Sequence, residues 1–284
     1  MAQYNIIAEN DDYTIVSDYQ AIYRKSDKYQ TEAQLEKELI KTLTEQGYDY
    51  LPIHMEQDLV DNLRVQLQRL NDYTFTDSEW KRFFNDVIAN QNEGIEAKTA
   101  KIQEDHIQVL KRDTGETKNI YLIDKKNIHN NYLQVINQYE EEQGNHDVRY
   151  DVSILVNGLP LVHVELKRRG VQIREAFNQI ERYQRDSFWA SSGLYEYVQI
   201  FVISNGTNTK YYSNTTRFNH IKEYNKAQTT KKTKTSNSFE FTSFWADGNN
   251  RIIPDLIDFT KTFFSKHTLL NILTLKNIKK VITQ

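Results

Sequence analysis

The chain has 284 residues, enough for one large domain or two small ones, and is polar but globular: 38% hydrophobic, 26% charged and 12% aromatic. Its 18 Tyr and 13 Phe exclude a disordered chain, and its lack of Cys excludes a disulfide framework or a thiolate zinc site. The formal net charge of −3 does not mark the whole chain as a nucleic-acid binder.

The first residues, MAQYNIIAENDDY, have neither the basic nor the apolar region of a secretory signal. The longest apolar runs, such as IFVI at 200–203, are strand-sized and far short of a membrane span. The expectation is a cytoplasmic protein with no membrane partner. Residues 1–30 hold short alternating pieces and no clear helix. A helix is predicted from Thr31, which can serve as N-cap, with Glu32 and Glu36 near its positive end and Leu35, Leu39, Ile40 and Leu43 as an apolar stripe. Gly47 ends it. Glu32 and Glu36 fall on the side of the stripe, and a carboxylate on a buried face needs a partner. Residues 56–104 read as helical. Leu59, Leu63, Leu67 and Leu70 form one stripe and Trp80, Phe83, Phe84 and Val87 another, with Thr76 or Asp77 as the second cap. HIQVLKR (106–112) and KNIYLID (118–124) read as a hairpin, and YLQVINQYE (132–140) as a further strand.

The stretch YDVSILVNGLPLVHVELKRRG (150–170) reads as strand, Asn157-Gly158 turn and strand. Folding back about the turn brings Asp151 within about one residue of Glu165. Alternation puts His163, Glu165 and Lys167 on one face. Two carboxylates and a lysine at one end of an apolar hairpin suit phosphodiester cleavage. Hard oxygen ligands can hold magnesium, which keeps waters and takes phosphate oxygens, and a lysine can orient water or neutralise developing charge. By itself, Asp-x13-Glu-x-Lys is a weak signal, since it is also the pattern of a surface salt bridge on a half-exposed hairpin. The next segment, VQIREAFNQIERYQRDSFW (171–189), has helical spacing and sets Gln179 and Tyr183 four apart on one face. Between Glu165 and Arg185 lie six basic residues (Lys167, Arg168, Arg169, Arg174, Arg182, Arg185) against three acidic ones, a local cationic rim suited to a phosphate backbone. YVQIFVIS (197–204) reads as a buried strand turned by Asn205-Gly206 into TKYYSN (209–214). KAQTTKKTKTSNS (226–238) reads as a loop, and a helix is predicted from Pro254 to about Ser265.

Hairpin, Glu-x-Lys and a helix with Gln-x-x-x-Tyr, in that order, resemble the PD-(D/E)XK nuclease superfamily. More closely, NQYEEEQGNHDVRYDVSILVNGLPLVHVELKRRG, EAFNQIERYQRDSFW, FVISNGTNTKYYSN and FTSFWADGNNRIIPDLIDFTKTFF are similar to the N-terminal nuclease domain of type I restriction enzyme R subunits. The likeness extends to TEAQLEKELIKTLTEQGYDYL (31–51). The resemblance implies an α/β fold, a mixed central sheet flanked by helices, as one nuclease domain over 1–284 with a helical and hairpin insertion at about 52–130. It implies metal ligation by Asp151 and Glu165, a catalytic Lys167, and Gln179, Tyr183 and Glu36 in the active site. It also implies Mg2+ as cofactor and cleavage of double-stranded DNA as a type I site-specific deoxyribonuclease, in complex with M (methyltransferase) and S (specificity) subunits. Tyr150 stands where the superfamily usually has Pro. No Gly is followed by Lys, so the phosphate loop of an ATPase is absent. ATP is therefore expected only in a full-length subunit carrying helicase-like motor domains, which this chain lacks. The readings left open are a truncated, non-catalytic module that binds DNA or the methyltransferase, and a standalone PD-(D/E)XK nuclease.

Overall fold

The computed structural model describes residues 6–9, 14–16, 29–145, 147–213 and 238–274. The lysine-rich stretch up to residue 237 and the last ten residues lie outside them. The centre is a six-stranded sheet formed by β3 (Asp49–Tyr50), β6 (Leu133–Glu141), β7 (Val148–Val156), β8 (Leu159–Leu166), β9 (Ile200–Ser204) and β10 (Thr209–Ser213). Its order is β10-β9-β8-β7-β6-β3. β8–β9 and β3–β6 are parallel and the other pairs antiparallel, so the expected mixed α/β sheet is what the chain forms. β1 (Ile6–Glu9) and β2 (Thr14–Val16) pair separately, as do β4 (Ile107–Lys111) and β5 (Thr117–Tyr121).

Helix α1 (Glu32–Glu45) begins where predicted. The Thr31 hydroxyl accepts from Gln34 N, and the Gln34 side chain accepts from Thr31 N. Leu35, Leu39 and Leu43 bury its apolar stripe. Between β3 and β6 the chain runs through α2 (Glu56–Asn71), α3 (Asp77–Phe83), a π-turn at Phe84–Ile88, α4 (Ile95–Gln103) and the β4–β5 hairpin. The predicted continuous stripe from Trp80 to Val87 is thus broken. Trp80 and Phe83 are buried on α3, whereas Phe84 and Val87 sit half-buried on the wider π-turn, which ends with Ile88 buried. Two buried lysines hold α4 down. Lys98 Nζ donates to Gly193 O and pairs with Glu196 at 3.0 Å, and Lys101 Nζ pairs with Glu93. The final predicted helix starts later than its proline suggests. α6 (Leu256–Phe263) is capped by Asp255, whose carboxylate accepts from Ile257 N and Asp258 N, leaving Pro254 just outside. A further helix, α7 (Lys266–Thr274), follows beyond the predicted elements. Its Leu269, Leu270 and Leu273 are buried.

The Asn157-Gly158 turn is buried, unlike most hairpin turns. Both residues have positive φ, 52° and 84°, as a two-residue primed turn requires. The Asn157 amide donates to Leu122 O and Asn131 Oδ1, and its oxygen accepts from Tyr132 N. A Cβ added to Gly158 would lie 2.6 Å from the Leu63 Cα on α2.

Candidate active site

Every side chain of β8 is buried, and so is every side chain of β7 from Val152 onward. The catalytic candidates sit at the other end of this hairpin. Near the turn, Val156 faces Leu159 and Leu155 faces Pro160. Beyond it the register slips by one, so that Ile154 faces Val162 and Val152 faces Val164. The extra residue is Leu161, next to a proline that cannot donate to the ladder and in a central strand needs such a bulge. One step past the last pair of the ladder, this register brings Asp151 level with Glu165, and the Asp151 side chain reaches the end of β8 at Leu166 N. Without the slip, Asp151 would oppose Val164 and Glu165 would point to the other face of the sheet.

Glu165 is fully buried. Lys167 Nζ donates to its Oε1 at 2.9 Å and to Leu166 O at 3.0 Å. The other oxygen, Oε2, accepts no hydrogen bond and lies 3.5 Å from His163 Nε2. Asp151 is half-buried, and its Oδ2 accepts from Leu166 N at 2.7 Å. Burial, reinforced by the charge of Glu165, pushes the Asp151 carboxyl up to about 7. Burial also pushes Glu165 up to about 7, against the pull of Lys167 and with the added charge of Glu32. His163 is fully buried among the rings of Tyr150, Tyr183 and Phe188, and burial pushes it down to about 4, so it is neutral at pH 7.

Helix α5 (Arg174–Asp186) packs on β8 and β9 and supplies the rest. Tyr183 is buried. Its hydroxyl accepts from Gln179 Nε2 and donates to Arg149 O, one residue before the aromatic Tyr150. Burial raises its pKa, and the charges of Glu165 and Asp151 raise it further. Tyr183 therefore lies within electrostatic reach of both carboxylates, and Gln179 is bonded to the Tyr183 hydroxyl. Arg149, Gln179, Arg182 and Tyr183 line a cavity of about 360 Å3. The Arg182 charge acts on Glu165 in turn. Glu36 is held on β6 and is not among the charges acting on Asp151 or Glu165. Its carboxylate accepts from Asn137 Nδ2 and Gln138 Nε2 on β6. Glu32, the other acidic residue on this side of α1, accepts from Arg168 N and is the one whose charge acts on Glu165. Tyr150 is buried, with its hydroxyl donating to Ser187 Oγ and its ring touching Tyr139, Tyr183, Phe188 and Tyr195. It anchors the aromatic layer behind the site.

Among the described residues, no group of three or more His, Asp or Glu side chains is arranged around a single point as metal ligands. Two carboxyls raised chiefly by burial, that of Asp151 also by the charge of Glu165, with one buried Glu165 oxygen lacking any donor, nonetheless suit a hard divalent ion. Magnesium is commonly held by one or two carboxylates, with waters and substrate phosphates completing its shell.

Residues 29–220 match the family model for the type I restriction enzyme R protein N terminus. The chain belongs to that family. Within it, the chain is similar to the type I restriction enzyme EcoprrI endonuclease subunit of Escherichia coli, at 47% identity over 268 residues, 94% of this chain and 80% of that protein. It is also similar to the type I restriction enzyme SsaAORF53P endonuclease subunit of Staphylococcus saprophyticus, at 37% identity over 240 residues, and to the SauCOLORF180P subunit of Staphylococcus aureus, at 36% over 242. In both cases the match covers 83% of this chain but 23% of the relative. The R protein N-terminal match spans both strands of the Asp151–Glu165 hairpin and helix α5.

Proposed function

We propose that this chain is the nuclease module of a type I restriction enzyme R subunit, cutting double-stranded DNA with Mg2+ in partnership with M and S subunits, in the cytoplasm. The observation that carries the reading is the bulge-set juxtaposition of Asp151 and Glu165, with Lys167 bonded to Glu165. The residues hold distinct roles. Asp151 and Glu165 would hold the ion. The ion would supply Lewis acidity and a bound water of lowered pKa. Lys167 is placed by Glu165 Oε1 and Leu166 O to balance charge that develops on the phosphate in the transition state. Tyr183, fixed by Arg149 O and Gln179, closes the site on the α5 side, and the aromatic layer around Tyr150 keeps water from its back. The exposed Arg174 and Arg182 on α5 offer phosphate contacts that carry no base information. No Gly of the sequence is followed by Lys, so no ATP turnover is assigned to these residues.

The experiment is plasmid cleavage by the purified chain with Mg2+ or EDTA, alone and with M and S subunits. Lys167→Ala is expected to abolish cutting while thermal stability and DNA affinity change little. Cutting by Lys167→Ala at the wild-type rate, together with a large loss of stability, would make Lys167 a structural partner of Glu165 and overturn the reading.

A further inference from the structure

Strand β6 lies beside β7, and its register runs Asn137 opposite Val152 and Tyr139 opposite Tyr150. Gln138 falls between, opposite Asp151, and that pair alone drops out of the ladder. Gln138 has φ 51°, a left-handed conformation that a non-glycine residue adopts at a cost. In a regular strand Asn137 and Gln138 would point to opposite faces. The left-handed residue instead turns both amides onto one carboxylate: Asn137 Nδ2 and Gln138 Nε2 both donate to Glu36 on α1. The displaced backbone is accounted for, since Gln138 O faces His54 Nδ1 at 3.3 Å and Glu140 N donates to His54 O at 2.8 Å. Asn137 is held in turn by the Tyr50 hydroxyl, which donates to its Oδ1 at 2.9 Å. Gln138 is half-buried on the strand beside Asp151.

We infer that Gln138 is a positioning residue whose left-handed turn, with the Asn137 amide, fixes Glu36 at the rim of the Asp151–Glu165 pair as an outer partner of the bound ion and its waters. This rests on the metal-site reading above. Partners of this kind change metal affinity without touching the ion, by about 10–100-fold when removed.

The test is Mn2+ titration of the metal-free chain, followed by the electron paramagnetic resonance of the free ion. Thermal unfolding is measured on the same samples. Gln138→Gly keeps the backbone conformation without its steric cost and removes the amide. It is expected to keep or raise the melting temperature while weakening Mn2+ binding about tenfold. Glu36→Gln, which preserves shape and removes charge, is expected to weaken it similarly, and Gln138→Asn to recover part of the loss. Asp151→Asn is the control for the metal site itself. If Asp151→Asn abolishes binding while Gln138→Gly and Glu36→Gln leave it unchanged, the inference is overturned and the metal site stands. If Asp151→Asn also leaves Mn2+ binding unchanged, the metal-site reading fails and this inference with it.

Discussion

Replacing Glu165 by Gln should stabilise the fold and abolish its chemistry. Glu165 is fully buried, and its carboxyl is pushed from 4.5 up to about 7. That value already includes the favourable pull of Lys167. At about 1.4 kcal/mol per pKa unit, the ionised group therefore costs the metal-free fold roughly 3 kcal/mol above pH 7. The sign follows from linkage. A folded-state pKa above the unfolded one gives stability that is complete below about 4.5 and is lost as pH rises through about 7. Gln mimics the protonated acid and loses nothing over that range. The variant should thus match wild type near pH 5 and exceed it by about 1–3 kcal/mol at pH 8, a gain of a few degrees in melting temperature for a chain of this size. His163, pushed down to about 4, titrates with the opposite sign over an overlapping window. It is present in both proteins and drops out of the difference to first order. The assay is thermal and urea unfolding at pH 5 and pH 8 in EDTA, repeated in Mg2+, where wild type alone should gain stability by mass action. A variant less stable than wild type at pH 8, or a gain equal at both pH values, would refute the argument.

Gly158→Ala should destabilise by about 2–5 kcal/mol, combining a left-handed alanine with overpacking against the α2 backbone. Gly115, at φ 88° with nothing within 4 Å of a built Cβ, isolates the first effect. Its Ala variant should cost only about 1 kcal/mol, and equal urea midpoints for the two variants would show that the α2 contact is not tight. Arg174→Gln with Arg182→Gln should lower the slope of log affinity against log salt by about 0.9 for each phosphate no longer neutralised, read by fluorescence anisotropy on duplex DNA in EDTA. The two positions are two helical turns apart, roughly 12 Å along α5, so an unchanged slope would place the backbone elsewhere.

Much of the fold was legible because its signals are local. Thr31 announces an N-cap, Asn-Gly a primed turn, and Leu35, Leu39 and Leu43 a buried stripe. Proximity of Asp151 to Glu165 followed from counting back from the turn. Counting could not fix which face each would take, because that depends on the bulge, and the one available signal was Pro160 inside a run of buried strand residues. Gln138 gave no signal, since its left-handed turn is stabilised by partners on α1 and in the loop at His54, far away in sequence. The same holds for the ranking of Glu32 and Glu36: both lie on the right side of α1, but which one acts on Glu165 depends on how α1 meets β8. Pro254 misplaced the start of α6 by mimicking a first-turn proline, when Asp255 beside it was the better cap.

The slip at Leu161 makes the site a matter of parity. Between the turn and Glu165, any substitution that keeps a strand keeps the two carboxylates together. Deleting a single residue there would leave a hairpin with every residue type intact, sheet and core still formable, and its two acids on opposite sides of the sheet. Removing or adding two residues would return both acids to one face, but about 7 Å apart along the strands. Relatives that retain this chemistry should therefore keep the length of this arm, or carry a compensating change on β7.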